Sequence, residues 1–249
     1  MEDLLARADR NMAEAWSAIL AIAPGSIRRE GAGYVSLSCE LPVPLFNPTF
    51  VLDGPTDPTG FVDAVLAERG AGPALIYSRD RVHADAGAAR GLVENYQPPL
   101  MVLDPIPESV PPPPDGLVIE RVTASSASAC AAVLGAGYGM PPEIAALIFG
   151  PDSLAEERYV AFLGSVDGVP VTTAAVFVSE DIAGIYAVAT DPVAGRKGYG
   201  GAVTVAAAAA GRQMGPSVSV LQASSAGAPL YERLGYAAVD RYRQLERYS

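Results

Sequence analysis

The run Gly184–Ala210, GIYAVATDPVAGRKGYGGAVTVAAAAA, decides how the rest of the chain is read. Its first seven residues are small, β-branched or aromatic, as a buried strand requires. Asp191-Pro192 breaks that strand, Gly195–Gly201 makes a basic, glycine-rich turn, and an alanine-rich helix follows. Strand, glycine turn and helix together form a cradle for an anion. The glycines let backbone N–H groups approach it, and the helix N-terminus adds roughly half a positive charge. Arg196 and Lys197 place full charges beside the same turn. The stretch therefore predicts a phosphorylated ligand.

Towards the C-terminus, Val218–Leu221 reads as a strand and Ala228–Leu234 as a helix closed by Gly235. Tyr236–Leu245 holds a last strand or strand pair. In the other direction, Arg158–Val166 and Pro170–Val178 are strands joined by Asp167-Gly168, a hairpin signal, and Ser179–Ala183 turns into the opening strand. Pro141-Pro142 opens a helix through Phe149, and Thr123 is placed to cap a helix from Ala124 to Leu134. Leu117–Val122 is a strand. Before it, Asp104–Gly116, DPIPESVPPPPDG, has too many prolines for a helix or inner strand and reads as an extended connector. The expected division is 1–103, a connector over 104–116, and 117–249.

The order strand, two helices, three strands, glycine turn, helix, strand, helix, strand resembles that of the GNAT (GCN5-related N-acetyltransferase) superfamily. That family carries Gln/Arg-x-x-Gly-x-Gly/Ala after its fourth strand, with a proline upstream. Pro192, Gly198 and Gly200 match this pattern, while Gly195 stands at its first position with Arg196 next. A second family stretch, Asn-x-x-Ala-x-x-Leu-Tyr-x-x-x-Gly-Phe, is matched by Ser224–Tyr236. Leu230, Tyr231 and Gly235 are identical, Tyr236 is conservative, and Ser224 and Gly227 stand for the Asn and Ala. The resemblance runs from Leu117 to the C-terminus, about half of the chain.

The resemblance implies an α/β (α+β) fold. The C-terminal half would be a mixed, mostly antiparallel twisted sheet flanked by helices. The smaller N-terminal α/β domain would be either a degenerate repeat of the tandem type or a lid walling the acceptor pocket. It also implies acetyl-CoA or a longer acyl-CoA as donor and the amine of a small molecule as acceptor. In that frame the fourth and fifth strands part, and Val188 and Thr190 pair with the pantetheine arm. An N–H of Val188 or Ala189 polarises the thioester carbonyl. Arg196, Lys197, Gly198, Tyr199, Gly200 and Gly201 hold the pyrophosphate, and Ser224 completes the cofactor set. Tyr231 falls at the family's general-acid position, facing the departing thiolate, and is equally suited to be a packed aromatic of an amphipathic helix. The fourth strand carries no carboxylate, so the choices are Glu180 or Asp181, acting through water from the preceding turn, a water chain, or no dedicated base with an amine of low pKa as acceptor. The alternative is a non-catalytic acyl-CoA-binding or regulatory protein on the same scaffold.

Bulk properties narrow the classes. Half of the 249 residues are hydrophobic and 18% are charged, enough apolar material for a packed core. A net charge of −11 speaks against non-specific nucleic-acid binding, which needs a basic face. Cys39 and Cys130 have neither metal nor redox spacing and read as buried thiols. The charged start MEDLLARADR is unlike a secretory signal and no run is long enough to span a membrane, so a cytoplasmic protein, capable of forming a homodimer, is expected. In the N-terminal half, helices are expected over Asp3–Ala23 and from Pro58 to Gly70, and strands over Tyr34–Cys39, Thr49–Leu52, Ala74–Tyr77 and Leu100–Leu103. No glycine-rich phosphate turn follows any of these strands. His83, flanked by Arg81 and Asp85, reads as a surface residue.

Overall fold

The computed structural model describes residues 1–54 and 56–248. The first part of the chain forms α1 (Glu2–Leu20), β1 (Ile27–Gly31), β2 (Tyr34–Ser38), β3 (Pro48–Val51), α2 (Pro58–Arg69), β4 (Ala74–Ser78), α3 (Arg81–Ala88), β5 (Val93–Tyr96) and β6 (Pro99–Leu103). The remainder forms β7 (Leu117–Arg121), α4 (Ala127–Tyr138), α5 (Pro142–Ile148), α6 (Pro151–Ala155), β8 (Tyr159–Val166), β9 (Val169–Ser179), β10 (Ile182–Thr190), α7 (Tyr199–Gln213), β11 (Val218–Gln222), α8 (Ala228–Arg233), β12 (Ala237–Arg241) and β13 (Arg243–Arg247). The architecture is α/β, as expected, with helices on two mixed sheets.

The sheets share one plan. The six-stranded sheet runs β1-β2-β3-β4-β13-β5, and the seven-stranded sheet runs β7-β8-β9-β10-β11-β6-β12. In each, antiparallel strands lead to a parallel step, β3 to β4 in one and β10 to β11 in the other. The next strand then comes from the other half of the sequence: β13 in the first sheet, β6 in the second. Two compact units result, Met1–Met101 with Gln222–Ser225 and Ala238–Ser249, and Val102–Leu221 with Ala226–Ala237. This differs from a division at the proline-rich connector. Leu245 explains why β13 belongs with the first unit: it is 0% exposed, in a core with Val51, Phe61, Val62, Val65, Ile76, Ala84 and Leu92.

In the first unit, α1 buries Ala8, Met12, Ala15 and Ile19, the stripe that its spacing predicts. Asp9 on the same helix is also buried, and it accepts bonds from Arg79 at 2.8 Å and from the Tyr242 hydroxyl at 2.7 Å. Arg79 donates in turn to Asp240 at 2.8 Å, so the buried charges are paired. His83 is not at the surface. It is 1% exposed, because α3 turns His83, Ala84 and Gly87 inward, and its Nδ1 lies 2.8 Å from the Ser78 hydroxyl.

In the second unit, α7 lies unusually close to its sheet. A Cβ added to Gly211 would stand 2.5 Å from that of Ala183, so a segment rich in Ala and Gly suits this face. Helix α4 begins at Ala127, three residues after the expected start. Thr123–Ser126 instead form a turn in which the Thr123 N–H donates to the Ser126 hydroxyl at 2.9 Å.

Candidate functional site

Strand β10 carries the first part of the site. It pairs with β11 only at Ile182, Ala183 and Gly184, yet continues to Thr190, so the two strands part beyond Gly184. On its other side β10 stays paired with β9, with a bulge between Tyr186 and Ala189. Ala187 occupies the left-handed region there, φ 51°, which costs a non-glycine residue about 1 kcal/mol. Side chains of β9 pin the bulge: the Thr173 hydroxyl donates to the Ala187 carbonyl at 2.9 Å and that of Thr172 to the Ala189 carbonyl at 2.8 Å. From α4, the Tyr138 hydroxyl donates to the Val188 carbonyl at 3.1 Å. Sequence reasoning passed over Tyr138, whose contact spans fifty residues.

The glycine loop follows. Asp191 ends β10 and its carboxylate accepts from the Val193 N–H at 2.8 Å, closing a short 3-10 turn over Pro192–Ala194. Gly195 is extended, whereas Arg196 takes φ 62° and Gly198 φ 82°. Gly198 is the N-cap of α7 and supplies no side-chain cap, and the first bond back along the helix is from the Ala202 N–H to the Gly198 carbonyl. The N–H groups of Tyr199, Gly200 and Gly201 therefore have no acceptor within the helix. A Cβ on Gly200 would come within 3.1 Å of the Thr190 hydroxyl oxygen, so the helix start is held tight against the end of β10. The side chains of Arg196 and Lys197 are exposed and make no ion pair among the described residues. Tyr199 is buried with Leu117, Val171 and Ala194, which leaves only its backbone for a ligand.

The corresponding turn of the first unit is chemically opposite. Helix α2 starts after β3, but its N-cap Asp57 turns its carboxylate onto the Gly60 N–H at 3.0 Å. A negative side chain already occupies that helix end and repels an anion. Among the described residues, only α7 offers bare N–H groups, a left-handed glycine and two uncommitted cations together.

Tyr231 lies on α8 and is 8% exposed, edge-on to Tyr236 with ring centroids 6.0 Å apart. Burial, and after it the neighbouring Tyr138 and Tyr236, push its pKa well above the ordinary tyrosine range. Its hydroxyl thus keeps its proton at neutral pH. Ser224 is exposed in the turn after β11, within the Gln222–Ser225 segment that groups with the first unit, whereas Tyr231 and the glycine loop belong to the second. Glu180 and Asp181, the carboxylates considered as bases, form the left-handed turn at the opposite end of β10. Seven residue steps along the strand lead from Asp181 to Val188, about 23 Å at the usual rise. That is too far for a base relayed by one water. Among the described residues, no three His, Cys, Asp or Glu side chains are grouped to hold a metal ion, and no helix is long and apolar enough to cross a membrane.

Comparison with known proteins gives this geometry a context. Residues 162–245 match the family model described as FR47-like protein. No curated protein matches the sequence. A GCN5-related N-acetyltransferase from Kribbella flavida superposes with a TM-score of 0.71 at 22% identity, covering 97% of this chain and 96% of that one. A tandem GNAT protein from the clavulanic acid biosynthesis pathway gives a TM-score of 0.61 at 11% identity, with 96% and 94% coverage. A GCN5-related N-acetyltransferase from Sphaerobacter thermophilus gives 0.61 at 13% identity, covering 87% and 81%. The likeness extends over the whole chain, both sheets included, and not just the half whose motifs were readable. The chain is a protein of the GNAT fold, and its residues 162–245 are FR47-like.

Proposed function

We propose that this protein is an acyl-CoA-dependent N-acetyltransferase that acts on the amine of a small molecule. The observation that carries the reading is the bare N-terminus of α7, with Gly198 at φ 82°, beside the parting of β10 from β11. The N–H groups of Tyr199, Gly200 and Gly201, with Arg196 and Lys197, would hold a pyrophosphate. The open side of β10 past Gly184 would receive an extended arm through Val188–Thr190 backbone groups. Bound acetyl-CoA would supply the activated thioester carbonyl.

The residues of the chain then have separable tasks. An N–H of Val188 or Ala189 is the candidate donor to a developing oxyanion. Tyr231 keeps a proton on its hydroxyl at neutral pH and is the candidate donor to a departing thiolate. No carboxylate lies on β10, so the acceptor amine arrives unprotonated or passes its proton to water. This favours amines of low basicity as acceptors.

The same gap, together with Gly195 lacking a polar side chain, favours one other reading, a non-catalytic acyl-CoA-binding protein. Release of free thiol from acetyl-CoA in the presence of a panel of small amines separates the two. Amine-dependent release supports the enzyme. Binding of CoA without any release supports the binding protein.

A further inference from the structure

The proline-rich segment Asp104–Gly116 is more than a spacer. It lies as a strap along α7, fastened near both ends. At one end Ile106 is buried and its N–H donates to the Ser217 carbonyl at 2.7 Å, while Arg212 of α7 pairs with Glu108 at 2.7 Å. At the other end Pro114 lies against the helix start, where a Cβ added to Gly198 would be 3.5 Å from its ring. The Leu117 N–H then donates to the Pro114 carbonyl at 3.0 Å. Six prolines in thirteen residues keep the strap extended, so it bridges rather than collapses onto the helix.

Beneath it is a cavity of about 230 Å³, walled by Ile106 and Val110 of the strap, Ala208 of α7, and Leu234 and Tyr236, with Arg233 at its edge. Two polar groups that border it are already engaged. The Thr204 hydroxyl donates to the Gly200 carbonyl at 2.7 Å, and the Tyr236 hydroxyl is 2.7 Å from that of Ser219. Arg233 is different: it is exposed and has no ion pair or hydrogen bond from its side chain among the described residues.

We infer that this cavity is a binding site for a small apolar monocarboxylate, with the apolar body under the strap and the carboxylate on Arg233. The lining selects the body: it is largely apolar, and two of its three hydroxyls, those of Thr204 and Tyr236, are already engaged, the third being that of the exposed Ser109 on the strap. The guanidinium selects the head, because its planar fork matches a carboxylate with two parallel bonds. The volume sets the size. A cavity of about 150 Å³ takes benzene, and drug-sized ligands need 300 Å³ or more, so this one suits roughly nine non-hydrogen atoms. A medium-chain fatty acid is of that size. This site is separate from the α7 N-terminus and does not depend on the acyl-transfer reading.

Calorimetric titration of the full chain with octanoate tests the inference, with octanol as the neutral analogue and CoA as competitor. The expected result is saturable 1:1 binding of octanoate, at least tenfold weaker for octanol and for Arg233→Gln. Ala209 of α7 also lines the cavity and is partly exposed, so Ala209→Leu, which fills it, should abolish binding. Saturating CoA should leave it unchanged. Equal binding of octanol, an unaltered Arg233→Gln variant, or absence of saturable binding would each overturn the assignment. Displacement of octanoate by CoA would overturn it too, by making the cavity part of the CoA site. Arg233 is on the surface, so its variant remains informative if the filled cavity disturbs folding.

Discussion

Expressing the segment Gly116–Ser249 alone removes β6 from the seven-stranded sheet while retaining β13, which belongs to the other sheet. The cost can be worked from burial. Leu100, Met101 and Val102 of β6 are 0%, 0% and 7% exposed. At about 1.5–3 kcal/mol for each buried side chain, their loss removes roughly 5–9 kcal/mol, as an upper bound. A domain has a net stability of only about 5–15 kcal/mol. The fragment also leaves β11 and β12 without the strand between them, and presents Leu245 to water. The segment Gln97–Arg241 keeps β6 and β12 and omits β13. Urea unfolding followed by circular dichroism, with size-exclusion chromatography, compares the two. Gln97–Arg241 should unfold cooperatively as a monomer, whereas Gly116–Ser249 should aggregate or give a broad transition. A monomeric Gly116–Ser249 with the same midpoint and slope would refute the exchange of strands.

Other consequences concern the site. Arg196→Gly relieves the left-handed strain of a non-glycine residue but adds unfolded-state freedom, so stability by urea titration should stay within about 1 kcal/mol while CoA affinity falls several-fold. Tyr231→Phe should lower turnover at least tenfold and leave CoA affinity intact; unchanged turnover would remove Tyr231 from the chemistry. Burial raises the folded-state pKa of Tyr231 above the unfolded value near 10, so the stability this gives is complete below about pH 10 and lost as pH rises through the folded value. Absorbance titration at alkaline pH should therefore show Tyr231 ionising only above the ordinary range or on unfolding. Glu180→Gln and Asp181→Asn should leave the pH–rate profile unmoved, given their distance from Val188.

Local signals in the sequence were strong wherever the chemistry is local. The β10 strand, the αL glycine at Gly198 and the helix after it follow from residue types whose backbone preferences are intrinsic. Pro58 was legible as a helix start, although the role of Asp57 before it in closing that end to anions needed the hydrogen bond to Gly60. Charged or polar edge strands were harder. Ile27–Gly31 is IRREG, exposed over most of its length and held only by pairing with β2, so it has no apolar alternation to read. Val93–Tyr96 was illegible for the same reason, with three of its four residues exposed. His83 was misread because its charged neighbours Arg81 and Asp85 hide the inward face that it shares with Ala84 and Gly87. The exchange of β6 and β13, and the Tyr138 contact with β10, depend on pairings far apart in sequence, and no window of residues contains both partners.

The central claim is that α7 alone carries a CoA cradle. Titrating the full-length protein with CoA by calorimetry, with Gly198→Val as the matched variant, tests it most directly. A side chain at φ 82° is strained and would stand against Pro114, so the variant should deform the loop. The account predicts one CoA per chain, competition by inorganic pyrophosphate, and a loss of at least tenfold in the variant. Two CoA per chain, or equal binding by the variant, would contradict it.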